Sequence, residues 1–177
     1  MSQLCTSKLE PLVAYLDSLS GRADLSVLEG LLRETDVTRA DLKPVCKFKR
    51  ECYQRNRIKR TEWYELVALC WRAGQKSQIH DHASSSCAFR VIEGAVTERR
   101  FEKNEDGTVR QVGVTTLPPG SICAAEDDAI HEVCNMAESD DLVTLHIYSP
   151  PLNMKVYDEG DDTGGECVGV YEERRDA

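Results

Sequence analysis

No apolar stretch of this chain approaches the roughly 20 residues that a membrane-spanning helix needs. Its first eight residues, Met-Ser-Gln-Leu-Cys-Thr-Ser-Lys, lack the apolar core of a secretory signal. A positive charge balance is also missing. The formal net charge is -9, which argues against bulk attraction to nucleic acid or to an anionic membrane surface. Eight cysteines are present, yet no two are spaced Cys-x-x-Cys. Without an export signal they are read as mostly reduced thiols of a cytoplasmic protein, not as a secreted disulfide framework. No internal repeat of roughly 20–50 residues is found, which excludes a solenoid or propeller. Histidine is scarce too, at four residues, so where those four fall carries information.

What is there fits one domain spanning 1–177. The chain is 177 residues long, 41% hydrophobic and 30% charged, enough to bury a real core. Residues 1–45 read as helical. Ser7-x-x-Glu10 matches a capping box, followed by Leu9, Val13 and Leu16 at helical spacing. A second helix is expected over Leu25 to Thr35 and a short third one over Thr38 to Leu42, before Pro44. From Phe48 the pattern turns to strands: 63–71, 87–92, 95–102, 110–116, 121–124, 130–135, 142–149 and 167–171. Their links carry turn chemistry such as Glu93-Gly94, Pro118-Pro-Gly120 and Asp162-Thr-Gly-Gly165. Many short strands at close spacing imply a mainly β fold, an antiparallel sandwich or barrel over about 46–171, with the helices covering one side.

Charge is uneven. Lys47 to Arg60 holds seven bases against one acid, and Asp158 to Asp176 holds eight acids. Most such side chains belong to solvated faces. Arg55 is a candidate exception. On an extended segment Tyr53 and Arg55 share a face, and an inward-facing Arg55 would be a buried cation in need of an anion, for which a small carboxylate would serve.

The chemistry concentrates in Gly74-x5-His80-x-His82-x4-Cys87-x6-Gly94. Imidazoles two residues apart on a strand point to one side, and paired imidazoles facing an interior are a ready chelate. His131 and His146 lie in later predicted strands. On 142–149, Thr144, His146 and Tyr148 alternate with Leu145 and Ile147, so the polar three share a face. Taken singly, a histidine is more often structural than a ligand, Cys87 more often a buried thiol, and Tyr148 more often a core aromatic. Cys70, Cys123 and Cys134 are read as core fillers, and Asp127, Asp128 and Glu132 as loop or outward positions. Asp81, between two inward histidines, should point away from them.

The His80-x-His82 spacing, with Pro118-x-Gly120 and His131-x3-Asn135, resembles the two cupin motifs, with Cys87 where cupins commonly carry a Glu ligand. Tyr53-x-Arg55-Asn56, Leu69-Cys-Trp71, Ile79-His-Asp-His82, Cys87 and Leu145-His-Ile-Tyr148-Ser-Pro-Pro151 are together similar to the cysteine dioxygenases. That resemblance implies a small β-barrel with Fe(II) on His80, His82 and His131, and substrates L-cysteine and O2. It implies that Arg55, with Tyr53 and Tyr148, binds the substrate, that Tyr148, His146 and Cys87 are catalytic, and that Thr144, His146 and Trp71 support them from behind. It also implies a Cys87–Tyr148 thioether, a cis Ser149-Pro150 bond and a monomer that binds neither nucleic acid nor membrane. Three alternatives stay open: 3-mercaptopropionate as the thiol, zinc as the metal, and a cupin that binds a metal or ligand without turnover.

Overall fold

Two sheets face each other, and a layer of helices covers the outside of one of them. The computed structural model describes residues 7–125, 128–159 and the strand at 170–171. Cys5, Asp127, Cys167, the Asp162–Gly165 turn and most of the acidic tail lie outside the described residues.

Helix α1 spans Glu10–Asp17, α2 Leu25–Glu34 and α3 Arg39–Leu42. The Ser7/Glu10 capping box does not form: α1 is capped at Leu9 without a side-chain bond and has Pro in its first turn. Pro11 lacks an N–H and is preset for a helix's first turn, so the helix starts there and Ser7 stays in the preceding turn. Asp24 caps α2 by accepting from the amides of Ser26 and Val27. Thr38 and Asp41 form a reciprocal capping box on α3.

The strands are β1 Gln54–Arg60, β2 Glu65–Trp71, β3 His80–Asp81, β4 Ser86–Glu93, β5 Val96–Lys103, β6 Val109–Leu117, β7 Ile122–Ala125, β8 Ile130–Cys134, β9 Leu142–Ser149, β10 Lys155–Val156 and β11 Val170–Tyr171. One sheet runs β11-β1-β2-β9-β4-β7 and the other β10-β3-β8-β5-β6. Pairing is antiparallel except between β1 and β11. Two strands were not foreseen as such: β1, whose basic composition hides it, and the two-residue β10, too short to show a period; the strand expected at His80-x-His82 forms only over His80–Asp81, as β3.

Strands β2 and β9 are buried along their whole length, because both of their faces are covered. Leu66, Ala68 and Cys70 of β2, with Val143, Leu145 and Ile147 of β9, pack beneath Leu12, Leu16, Leu28 and Leu32 of the helices. The alternate residues Val67, Leu69, Trp71 and Tyr148 join Cys87, Phe89 and Val133 in the space between the sheets. Period-two alternation therefore sorts each strand into an outer apolar set and an inner set that forms the site. Ser149 ties the layers together: it accepts from the Ala23 amide at 2.9 Å and donates to the Trp63 carbonyl at 2.7 Å. The Ser149-Pro150 peptide is cis, and Cys46, Cys70, Cys87, Cys123 and Cys134 are free thiols. No helix among the described residues is long and apolar enough to cross a membrane.

Gly94, in the turn after β4, has φ +76°, and a Cβ there would lie 2.6 Å from the Asp141 carbonyl oxygen. Gly107 has φ +89° but open space around it. Gly94→Ala should therefore cost roughly 2–6 kcal/mol, summing backbone strain and overpacking, whereas Gly107→Ala should cost only the strain of roughly 1–3 kcal/mol. Equilibrium denaturation of the two variants should give that order.

Candidate metal centre

Three of the four histidines converge between the sheets. His80 lies on β3, directly opposite His131 on β8, and His82 follows one residue beyond β3. One ligand nitrogen from each ring falls within 4.8 Å of the others. The rings sit 4.8–5.4 Å apart, centroid to centroid, and all three side chains are buried. Strand pairing with His80 sets the position of His131.

Neighbouring groups fix which nitrogens face inward. The Nδ1 of His80 lies 2.8 Å from the Gln78 carbonyl oxygen. A carbonyl only accepts, so this Nδ1 carries the proton and Nε2 keeps its lone pair. The Nδ1 of His131 lies 2.8 Å from Glu98 Oε1, while its Nε2 is buried with no hydrogen-bond partner among the described residues. An orphaned buried nitrogen beside two other imidazoles is what a metal ion would satisfy, and a carboxylate behind a ligating histidine is the usual support for it. Burial, reinforced by the neighbouring His131 and His82 rings, holds His80 well below the usual imidazole range. The ring is therefore neutral and able to donate to a metal. The residues fit a divalent ion bound by three neutral imidazoles, a donor set that suits zinc, copper, iron or nickel.

Sequence reasoning missed Glu98. Its signal was present: it shares strand parity with the buried Val96, so an acid stood among inward positions. Burial pushes its pKa up, but the hydrogen bond with His131 outweighs this and leaves it below the usual carboxylate range. Cys123, read as a filler, contacts the same Oε1 at 3.7 Å, and burial followed by Glu98 pushes its thiol up to about 12. Glu132 is also corrected. It points away from the centre as expected, yet it is buried, held by Arg99 at 2.7 Å and Lys76 at 3.2 Å. Asp81 turns outward to Tyr157 and the Ala83 amide.

A narrow cavity opens beside the imidazoles, and Tyr53, Arg55, Trp71, Cys87, His146 and Tyr148 also line it. No Asp or Glu lines it among the described residues. Arg55 is 4% exposed, which takes it out of the solvated basic run. Its guanidinium lies 5.3 Å from the Tyr148 ring centroid, and Tyr53 stacks on Trp71 at 4.1 Å. Behind Tyr148 runs a chain of contacts. Trp71 Nε1 donates to Thr144 Oγ1 at 3.2 Å, Thr144 Oγ1 meets His146 Nε2 at 2.9 Å, and His146 Nδ1 meets the Tyr148 hydroxyl at 3.2 Å. Phe89 stacks on His146 at 4.6 Å. Burial, then Arg55, holds His146 well below the usual range. Burial pushes both the Tyr148 hydroxyl and the Cys87 thiol well up, with Cys87 adding to the first and Cys123 to the second. Cys87 and Tyr148 are direct partners across β4 and β9.

Two facing antiparallel sheets enclosing a three-histidine cluster define a cupin. Solved structures agree on the fold. A Klebsiella pneumoniae protein with a double-stranded β-helix domain superposes with TM-score 0.56 at 17% identity, covering 66% of this chain and 88% of its own. A Thermus thermophilus protein gives 0.53 at 23%, covering 62% and 94%. The family described as "Cysteine dioxygenase type I" matches residues 3–160, and the chain belongs to that family. Cysteine dioxygenase type 1 of Danio rerio is 29% identical over 153 residues, or 81% of this chain and 75% of the relative. That of Rattus norvegicus is 29% identical over 153 residues, or 82% and 76%. The human protein is 32% identical over 113 residues, or 60% and 56%. Membership supports thiol dioxygenase chemistry at a metal centre.

Glu98→Gln keeps the shape of the carboxylate but removes its charge and half of its acceptor capacity. Metal affinity, read by competition with a chromophoric chelator, should fall about 10- to 100-fold. The melting temperature of the metal-free protein should change little.

Proposed function

We propose that the chain is an Fe(II)-dependent dioxygenase that converts the thiol of L-cysteine to a sulfinic acid, with both added oxygen atoms taken from O2. The observation that carries this reading is Arg55: a buried guanidinium in the same small cavity as three converging imidazoles. Arg55 meets Glu65 at 3.6 Å, an ionic contact longer than a hydrogen bond, and a guanidinium that also lines the cavity suits a small planar anion there, which the carboxylate of a small thiol acid supplies. When bound, iron would supply a site for the thiolate and the redox chemistry that O2 requires.

The chain's own residues do the rest. Arg55 offers a fork of N–H donors to the substrate carboxylate, a geometry that favours a planar anion. Tyr53, stacked on Trp71, forms a rigid wall. His80, His82 and His131 add no negative charge, so a ligated thiolate would be the principal anion at the metal. Trp71 donates to Thr144, and Thr144, His146 and Tyr148 follow as one hydrogen-bonded chain that holds the Tyr148 hydroxyl at the cavity. Hydrolysis at a zinc centre would need a positioned base, and His146, the histidine of the cavity wall outside the cluster, is already engaged by Thr144 and Tyr148. The cross-strand pairing of Cys87 with Tyr148 supports a thioether between them. The Cys87 sulfur would bond to a ring carbon of Tyr148, an S–H and a C–H would break, and O2 would take the electrons and protons.

Iron-loaded protein should take up O2 with L-cysteine faster than with 3-mercaptopropionate or cysteamine. A preference for 3-mercaptopropionate would move the assignment to that thiol, and no uptake with any of the three would favour a binding module without turnover. Arg55→Gln should raise KM for cysteine about 10- to 100-fold, the size of a lost charge-assisted contact. An unchanged KM would remove Arg55 from the carboxylate role. Peptide mapping after turnover should find a Cys87–Tyr148 species lighter by two hydrogens, and finding only the two free side chains would refute the crosslink.

A further inference from the structure

Glu65 is a fully buried acid that the chemistry above does not use. It opens β2 directly opposite Tyr148 of β9. Val67, Leu69 and Trp71 follow at alternate positions in the cluster between the sheets, so Glu65 has the inward parity of that strand. Its two oxygens each meet an arginine of β1. Oε1 accepts from Arg57 Nε at 3.0 Å. Oε2 stands 3.6 Å from Arg55 Nη2, an ionic contact longer than a hydrogen bond. Arg55 and Arg57 have the same strand parity, and the register of β1 breaks only after Arg57. The three charges therefore run in a row, from half-exposed Arg57 through Glu65 to Arg55 at the cavity.

A buried carboxylate so close to Arg55 competes for the donors that a substrate carboxylate would use. We propose that Glu65 is an internal rival of the substrate for Arg55, and that Arg57 is a positioning residue that holds Glu65 off by taking its stronger hydrogen bond. The balance between the two arginines then sets how tightly carboxylate-bearing thiols bind. Loss of Arg57 would leave a buried carboxylate without its 3.0 Å partner. Arg55 stands 3.6 Å from its other oxygen and is a cation that can take up that contact. Glu65 would close on it, cancel its charge and occupy its donors. The inference rests on the reading of Arg55 as the carboxylate anchor.

The test compares KM for L-cysteine in the iron-loaded wild type, Arg57→Gln, Arg57→Lys and the double variant Arg57→Gln/Glu65→Gln. Anaerobic calorimetric titration with L-cysteine measures binding independently of turnover. Arg57→Gln should weaken cysteine binding about tenfold or more, the scale of one competing charge-assisted contact, with kcat changed less than about twofold. Arg57→Lys should stay near wild type, because a single cation suffices for the one oxygen that Arg57 holds. The double variant should recover cysteine affinity. Cysteamine lacks the carboxylate, so its affinity, taken as KM or as an inhibition constant, should not respond to Arg57→Gln. Equal losses for both thiols would assign Arg57 a merely structural role and overturn the proposal. So would unchanged cysteine binding in Arg57→Gln, or a defect that persists in a folded double variant. If the double variant does not fold, the Arg57→Lys rescue and the cysteamine comparison decide. An Arg55→Gln variant with normal KM would instead sink the anchor reading itself. A raised KM in Arg55→Gln with none in Arg57→Gln would sink only the role of Glu65.

Discussion

Strands β2, β4 and β9 sit between a layer of helices and the space where the site lies, so the side-chain alternation along each of them is constrained on both faces. A slip of one residue in β9 would turn His146 and Tyr148 toward Leu28 and Leu32 and put Leu145 and Ile147 in the cavity. The apolar contacts beneath the helices forbid this, because they fill the outer face with Leu66, Ala68, Cys70, Val143, Leu145 and Ile147. Packing energy on one side of the sheet therefore sets the register of chemistry on the other. The contacts of Trp71, Thr144, His146 and Tyr148 follow from that register without a loop to arrange them.

Electrostatics shape the interior in a complementary way. Among the described residues the cavity wall carries imidazoles, two phenols, a thiol and one guanidinium. The acids nearby are displaced behind it: Glu98 against the far nitrogen of His131, and Glu65 against two arginines. Negative charge is thus kept close enough to orient the wall but off the position that a substrate would take. Burial makes each of these contacts stronger than it would be in water and makes an uncompensated charge costly.

Much of this could be read from the chain. The alternation over 142–149 marked the shared face of Thr144, His146 and Tyr148. The His80-x-His82 spacing marked a chelate, and the parity of Tyr53 and Arg55 allowed an inward arginine. The errors also have physical causes. Ser7 and Glu10 satisfy the pattern of a capping box, but with Pro11 in the first turn the helix is capped at Leu9 and Glu10 is its first residue. Glu132 faces away from the centre as expected, yet Arg99 and Lys76 cover it, and coverage by side chains from other strands leaves no local mark. Glu98 and Cys123 lie 25 residues apart on strands that do not pair, so nothing local linked them to each other or to His131.

The sequence by itself determined the strand periods, the pair of imidazoles, and the family to which the chain belongs, because these depend on residue type and short spacing. Only the tertiary structure decided that His131 stands across from His80, that Glu98 fixes its tautomer, and that Glu65 lies between Arg55 and Arg57. Those relations depend on which strands pair, in which register and across which gap. Long-range pairing is selected by burial of the whole core and not by any local stretch.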